Sequence, residues 1–170
     1  ADITFRGISW QHTRSTLITA APGAVVSDIL IDNCTIANGG GMGVRLAGFN
    51  NTVKHSKVFN VGGAGIALKG GMHLSLTRGD NLVTNNEIHH YAQWLRTYQP
   101  AILWAGVGNT YSFNHIHDAP HNAILGGGNQ ATCSSKGEET QIVEQMCGAN
   151  DCVFEGNLIE HTKYECDDSG

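Results

Sequence analysis

The feature that most constrains the fold is a motif of six or seven residues that returns five times along the chain. Each copy opens on an aliphatic or aromatic residue, continues with mostly polar residues and closes on Ile or Val. The copies close at Ile36, Val58, Ile88, Ile116 and Ile159. Self-similarity at a period of about 20 to 30 residues, built from short alternating strands, is typical of a β-solenoid. The repeat therefore predicts an all-β solenoid of about five to six coils.

The positions around each closing residue are also repeated. Two residues earlier the five copies carry Cys34, Ser56, Asn86, Asn114 and Asn157. A second apolar motif follows most copies and places Val44, Ile66, Ile102 and Ile124 at equivalent positions. Equivalent residues of neighbouring coils stack on each other, so we expect inward aliphatic ladders. At the turn, we expect a buried ladder in which the Asn amides bond to the coils above and below.

Three insertions interrupt the repeat, at residues 71–80, 90–100 and 132–151. Insertions leave a solenoid through its corners and often shape its binding face. We therefore expect the three loops to wall a common cleft. Neither end of the sequence looks like a cap, which a solenoid needs in order to protect its open edges. Residues 1–170 are accordingly expected to form one β-solenoid domain that packs against flanking parts of a longer chain.

Charge and composition limit the classes of molecule that the protein is expected to bind. The formal net charge is −5, charged residues make up 15%, and the basic residues are scattered along the chain. This pattern does not predict binding to nucleic acid. The longest apolar runs are too short to span a bilayer, so no membrane partner is predicted.

The number and spacing of the cysteines bear on the cellular compartment of the protein. Cys34 occupies a stacked core position and is expected to be a buried free thiol. The other four, Cys133, Cys147, Cys152 and Cys166, lie in and beside one insertion. Their spacing does not fit a zinc site, and no metal or other cofactor is predicted. Two disulfides are expected instead, which implies a secreted, periplasmic or otherwise extracellular protein.

Three aspartates are candidate catalytic residues. The register places Asp167 and Asp168 where other coils carry aliphatic residues, a costly exchange unless the carboxylates have partners or a function. Asp118 lies in the preceding coil, where the sequence indicates a corner between two strands. Two carboxyl groups that face each other across a cleft are what glycoside hydrolysis requires. The residues alone do not distinguish the acid from the base.

Candidate substrate-binding residues surround this predicted pair. Trp94, Arg96 and Tyr98 share one insertion, and an aromatic loop that carries an arginine suits the apolar faces and the hydroxyls of a sugar. His117, His121 and Glu165 are close in sequence to the aspartates, where they could bind substrate or tune a carboxyl group. The expected partner is thus a polysaccharide or an oligosaccharide.

Several segments resemble bacterial right-handed parallel β-helix proteins of the pectate-lyase-like superfamily. They are residues 5–10, 81–102, 106–109, 115–121 (HIHDAPH) and 167–170 (DDSG). The enzyme group that the chain resembles most is glycoside hydrolase family 141 with its uncharacterised relatives, which is associated with fucosidase and xylanase activities. The resemblance implies a right-handed parallel β-helix with Asp118 and Asp168 as the catalytic pair, and Asp167 as the alternative to Asp168.

Three functions are compatible with these features. The sequence favours a glycoside hydrolase that acts on a plant, algal or microbial polysaccharide or glycan. A polysaccharide lyase or uronan epimerase would use a basic residue such as Arg78, Arg96 or a histidine, but the chain lacks a dense basic column for an anionic polymer. A non-catalytic, carbohydrate-binding or structural β-helix would have regular coils without outward carboxylates.

Overall fold

The computed structural model describes residues 2–127 and 149–162. Every regular element in these residues is a β-strand, and the strands form three stacked sheets that wind into a solenoid of about five turns. No helix in the described part of the chain is long and apolar enough to cross a membrane. The predicted all-β solenoid is confirmed.

Two of the sheets have six parallel strands each. The first sheet contains β1 (Ile3–Arg6), β5 (Ile29–Asp32), β8 (Thr52–Lys54), β12 (Leu82–Thr84), β15 (Thr110–Ser112) and β19 (Val153–Glu155). The second sheet contains β2 (Ser9–Thr13), β6 (Thr35–Gly39), β9 (Lys57–Val61), β13 (Glu87–His89), β16 (His115–Ala119) and β20 (Leu158–Thr162). Each coil contributes one strand to each sheet. Strands that follow each other in the sequence therefore lie in different sheets, and strands of neighbouring coils pair.

The third sheet closes the coils. Its main path contains β3 (Ile18–Thr19), β7 (Val44–Phe49), β10 (Ile66–Met72), β14 (Ile102–Val107) and β17 (Ile124–Gly126). Two short strands, β4 (Val26–Ser27) and β18 (Ala149–Asn150), pair in parallel with β7 and β14. Among the described strands, only β11 (Thr77–Arg78) is antiparallel; it pairs with β10 within the first insertion.

The core consists of the ladders that the repeat predicts. The closing residues pair in register from coil to coil in the order Ile36, Val58, Ile88, Ile116 and Ile159. The second apolar motif likewise pairs Val44, Ile66, Ile102 and Ile124. Apart from those at the last coil, these side chains are mostly buried, because alternate residues of each strand face the interior.

A two-residue turn joins the first sheet to the second in every coil. Its first residue has a positive φ, between 51° and 60° in Asn33, His55, Asn85, Phe113 and Gly156. Its second residue points inward and forms the predicted amide ladder. The side-chain amide of Asn86 donates to Asn114 Oδ1 and to the carbonyl of Val53, both at 3.0 Å. Asn86 Oδ1 in turn accepts the backbone N–H of Ser56 at 3.0 Å. The turn donors are therefore satisfied by the next coil.

A second amide ladder follows the third sheet and was not predicted. Asn51, Asn81 and Asn109 are buried just before β8, β12 and β15. The backbone and side-chain nitrogens of Asn51 donate to Asn81 Oδ1 at 2.9 and 3.0 Å, and Asn81 repeats this pattern with Asn109. The intervals between Asn51, Asn81 and Asn109 equal those between the closing residues Val58, Ile88 and Ile116. This equal spacing is the sequence feature that could have revealed the second ladder.

A column of left-handed residues runs up the second sheet. One residue near the end of each strand has a φ between 45° and 63°: His12, Asn38, Asn60, His90, Asp118 and His161. Asn, Asp and His tolerate this conformation better than most residues do. The prediction that Asp118 lies at a corner between strands is wrong, because Asp118 belongs to β16. It occupies the left-handed position of that strand.

The first two insertions do not share one cleft, contrary to the prediction. The loop with Trp94 packs over Gly40 and Gly62, between the second and third sheets. Arg78, in the first insertion, bonds to Asp151 and to the carbonyl of Gly108, between the third sheet and the first. These are different corners of the solenoid. Most of the third insertion lies outside the described residues.

The cysteines are described only in part. Cys34 is a buried free thiol, as predicted. Cys152 is also a free thiol, and its sulfur lies 3.3 Å from the carbonyl oxygen of Gly106. The prediction that the four cysteines in and beside the third insertion form two disulfides is therefore wrong for Cys152. Cys133, Cys147 and Cys166 lie outside the described residues, so a disulfide between two of them stays a prediction.

The amide ladder makes Asn86 a test of the fold. Asn86→Ala leaves the N–H of Ser56 and the carbonyl of Val53 without their partners, which should lower the free energy of unfolding by about 2 to 4 kcal/mol. Urea denaturation followed by circular dichroism measures the change. Asn86→Ser is the matched control, because Ser56 occupies the same position one coil away and accepts the N–H of Cys34. Serine should restore about half of the loss; an equal loss in both variants would contradict this role.

Asp32 provides a pH test away from the candidate site. Hydrogen bonds from His55 and Arg6, at 3.0 and 3.1 Å, hold the pKa of Asp32 below its usual value. A carboxyl with a depressed folded-state pKa stabilises the fold above its unfolded-state pKa and loses this contribution as the pH falls through the folded-state value. Asp32→Asn should therefore flatten the fall in stability below about pH 4. Urea midpoints between neutral and acid pH measure this, with the exposed Asp2→Asn as control; parallel curves for Asp32→Asn and wild type would contradict it.

Candidate functional site

The outer surface of the second sheet carries a dense group of histidines and carboxylates, which we call the histidine face. It consists of Glu87, His89, His90, His115, His117, Asp118, Glu160 and His161. The group exists because alternate residues of β13 and β16 point outward while Ile88 and Ile116 point into the core. The left-handed residue that follows in each coil turns a further polar side chain to the same surface.

Aromatic stacking orders the centre of the histidine face. Phe59, His89 and His117 pair in register on three successive strands. The ring of His89 stacks on Phe59 with centroids 5.0 Å apart and on His117 with centroids 4.8 Å apart. These separations match the spacing between neighbouring strands, so the imidazole orientation follows from the register.

His117 lies between two carboxylates. Its Nδ1 is 2.8 Å from Asp118 Oδ2, within hydrogen-bonding distance. Its Nε2 is 3.6 Å from Glu87 Oε1, which is too long for a hydrogen bond. Within the described residues the buried Nε2 has no hydrogen-bond partner. Asp118 therefore orients the ring, and Nε2 faces Glu87.

The remaining members of the face are paired around this centre. Glu87 Oε2 forms an ion pair with Lys57 Nζ at 2.6 Å. His161 Nδ1 lies 3.7 Å from Asp118 Oδ1. In the neighbouring column His115 Nε2 is 3.0 Å from Glu160 Oε2. His89 Nδ1 and His90 Nδ1 are 2.6 Å apart, so one of these two nitrogens donates to the other.

The electrostatics of the face favour charged carboxylates. The hydrogen bond from His117 lowers the pKa of Asp118, and the hydrogen bond from Lys57 lowers the pKa of Glu87. Burial lowers the pKa of His89, and repulsion from a protonated His117 adds to the effect. Near neutral pH, both carboxylates are therefore ionised and His89 is neutral. The surface presents acceptors and a neutral imidazole side by side.

Comparison with known proteins identifies the family to which the fold belongs. Residues 3–168 match the profile of a family described as "Right handed beta helix region". The chain belongs to the right-handed β-helix family. No curated protein and no solved structure matches it significantly. Membership confirms the parallel β-helix predicted from the sequence and indicates a pectate-lyase-like or glycosidase-type fold; it assigns no particular activity.

An aromatic loop borders the histidine face of this β-helix. Trp94 and Tyr98 are 73% and 59% exposed, and Arg96 is exposed between them. Trp94 lines a groove of about 380 Å³ together with Asn38 and Asn60, among other residues. These two asparagines are rungs of the left-handed column that continues to His90 and Asp118. The predicted loop residues and Asp118 thus lie along one edge of the second sheet.

His121 supports this loop from below. Its side chain is 1% exposed, and Nε2 accepts the backbone N–H of Tyr98 at 3.0 Å. The hydroxyl of Tyr91 donates to the carbonyl of His121 at 3.0 Å. In the β-helix His121 therefore positions the loop, instead of contacting substrate directly as the sequence indicated.

Three predicted site residues, Glu165, Asp167 and Asp168, lie outside the described residues of the β-helix, and their roles stay predictions. Sequence reasoning missed part of the face that the structure brings together, namely Glu87, His89, His90, His115, Glu160 and His161. The repeat contained the necessary information, because the register that aligns Ile88, Ile116 and Ile159 also aligns their polar neighbours.

The role of His121 can be tested by proteolysis. His121→Ala removes the acceptor of the Tyr98 N–H and should raise the rate of trypsin cleavage after the exposed Arg96 by about tenfold, since an unpaired buried group costs about 1 to 3 kcal/mol. Mass spectrometry of the early fragments measures cleavage at this bond. His73→Ala, in the insertion at another corner, is the control. Unchanged cleavage in a folded His121→Ala protein would show that the loop does not depend on this side chain.

Proposed function

We propose that this β-helix is a glycoside hydrolase and that Asp118 is one of its two catalytic carboxylates. The observation that carries the proposal is the position of Asp118. Its carboxylate is 48% exposed, is oriented by His117, and lies on the sheet edge that leads to the groove of Trp94. An accessible carboxylate beside an exposed aromatic platform is the arrangement that sugar hydrolysis uses.

The distance between platform and carboxylate suits an oligosaccharide. Asn60, His90 and Asp118 occupy three successive rungs of the left-handed column. Because strands stack at about 4.8 Å, Asn60 and Asp118 are roughly 10 Å apart along the solenoid axis. A sugar on the ring of Trp94 and a neighbouring sugar near Asp118 could therefore belong to one chain. Arg96 and Tyr98 lie at the platform end of this path.

The contacts of Asp118 indicate its role in the proposed reaction. A carboxylate that accepts a hydrogen bond at 2.8 Å is stabilised in its ionised form. The ionised member of a glycosidase pair acts as nucleophile or as general base, while the other member donates a proton. We therefore assign Asp118 to the first role and Asp168 to the acid, with Asp167 as the alternative. Glu165 is retained as a substrate contact beside the acid.

The substrate class rests on the resemblance to glycoside hydrolase family 141. It favours fucosylated glycans or xylan-type polysaccharides of plant, algal or microbial origin. A secreted or periplasmic location is part of the same proposal, because such polymers lie outside the cytoplasm and because the cysteines cluster in one insertion.

Two variants of the full-length protein test the assignment. Incubation with fucosylated glycans, xylans and uronic acid polymers should give new reducing ends without unsaturated sugars. Asp118→Asn should lower this activity by about 100-fold or more on polymers and also on aryl glycosides with good leaving groups. Asp168→Asn should lose activity on polymers yet retain it on the activated aryl glycosides, which need no general acid. Product analysis and initial rates measure both effects.

The control variant and the contrary outcomes are equally specific. Asp80→Asn changes a surface carboxylate that bonds to Arg78 at another corner and should retain full activity. Full activity in Asp118→Asn would refute its catalytic role. Unsaturated products would assign the protein to the polysaccharide lyases or, with altered uronate stereochemistry, to the epimerases. Binding of a polymer without any product would identify a non-catalytic carbohydrate-binding β-helix.

A further inference from the structure

We propose that Glu87, His89 and His117 form a binding site for one divalent transition-metal ion of the Zn²⁺ class. The site lies at the centre of the histidine face, on β13 and β16. The inference rests on these three side chains and their neighbours, and it does not depend on the proposed glycosidase activity. The apolar repeat did not indicate this metal site. The cysteine spacing excluded only a zinc site made of cysteines.

The ligand atoms are already close together. One ligand atom from each of the three residues lies within 4.8 Å of the other two. His117 Nε2 and Glu87 Oε1 are 3.6 Å apart. With bonds of 2.0 to 2.2 Å, the ligands of a tetrahedral zinc ion are roughly 3.4 Å apart. The pair from Glu87 and His117 therefore nearly matches a metal site, and His89, whose ligand atom lies within 4.8 Å of both, supplies the third ligand.

The hydrogen bond to Asp118 prepares His117 as a ligand. When Nδ1 donates to Asp118 Oδ2 and the ring is neutral, Nε2 carries a lone pair. Metal-bound histidines usually donate their other N–H to a carboxylate in this way. The Nε2 lone pair then faces the ionised Glu87 Oε1, and two acceptors in this position require a cation between them. A metal ion meets this requirement, and so does a proton on Nε2.

His89 repeats the arrangement one coil away. When its Nδ1–H donates to His90 Nδ1, 2.6 Å away, its Nε2 carries a lone pair and can serve as the second ligand nitrogen. Its ring stacks on that of His117 with an interplanar angle of 10°, so both imidazoles project from the sheet in nearly the same direction. Two rungs of one ladder thereby supply two ligands from residues 28 positions apart in the sequence.

The surrounding charges permit a cation. Lys57 Nζ forms its ion pair with Glu87 Oε2, whereas Glu87 Oε1 is directed at His117. Asp118 adds a second negative charge on the other side of the His117 ring. Two imidazoles and one carboxylate suit zinc and similar transition metals, whereas calcium and magnesium prefer sites made of oxygen atoms. Three protein ligands on a partly exposed surface leave a position for water.

Metal titration of the full-length protein tests the site. After treatment with chelator, the protein is titrated with Co²⁺ and followed by visible absorption, and then with Zn²⁺ in competition. We expect one ion per chain, with affinity lowered at least about tenfold in Glu87→Gln, His89→Ala and His117→Ala. Asp118→Asn should weaken binding by about 10- to 100-fold through the orientation of His117. Ca²⁺ should not compete.

The controls separate a defined site from scattered histidines and from a proton. His12→Ala changes an exposed histidine at the far end of the left-handed column and should bind Co²⁺ like the wild type. An equal loss in His12→Ala, or no saturable binding, would overturn the proposal. The ¹⁵N shift of His117 Nε2 distinguishes a metal-bound nitrogen from a protonated one; a protonated Nε2 in the presence of excess Zn²⁺ would also overturn it. Circular dichroism verifies that each variant is folded.

Discussion

The structure depends on the way each turn finds hydrogen-bond partners in the coil above it. The turn between the first two sheets has an inward residue whose backbone N–H would otherwise be buried without an acceptor, at a cost of about 1 to 3 kcal/mol per group. Asn114 illustrates the solution: its oxygen accepts both nitrogens of Asn86 while its own amide donates to the carbonyl of Val83. Each asparagine therefore fixes the height of its coil relative to the next.

This constraint explains why the surface chemistry is so local. Once the turns are aligned, the side chains at each outward position of the second sheet stack above one another in a column. The residue type that each coil carries at this position determines the chemistry of the column. In the left-handed column, the second and third coils carry Asn38 and Asn60, whose amides bond to each other at 3.3 Å. The later coils replace them with His90, Asp118 and His161. Reactive groups thus accumulate over three coils without any change in the fold beneath them.

The repeat predicted those parts of the molecule that obey it. Ile88 and Ile116 are in register because burial tolerates no slip that would turn a strand inside out. The histidine face follows from the same register, yet it was missed because sequence analysis considered Asp118 with its sequence neighbours instead of its column neighbour His90. The corner taken by each of the first two insertions could be predicted, because residues 90–100 separate Ile88 from Ile102 and residues 71–80 follow the apolar motif of Ile66. The expectation of one cleft failed because these are different corners of the solenoid, as the contacts of Trp94 and Arg78 show.

The two proposals meet at Asp118, and its two oxygens keep them compatible. Oδ2 accepts the His117 hydrogen bond and thereby holds the Nε2 of that ring toward Glu87. Oδ1 has a looser neighbour, the exposed His161 at 3.7 Å, and we assign this oxygen to the proposed reaction with the sugar. A metal ion on His117 would strengthen the polarity of the Nδ1–H and hence its bond to Oδ2, which draws negative charge away from Oδ1. Loss of the ion should therefore make Asp118 more basic, so Glu87→Gln would change the strength of the carboxylate while leaving it in place.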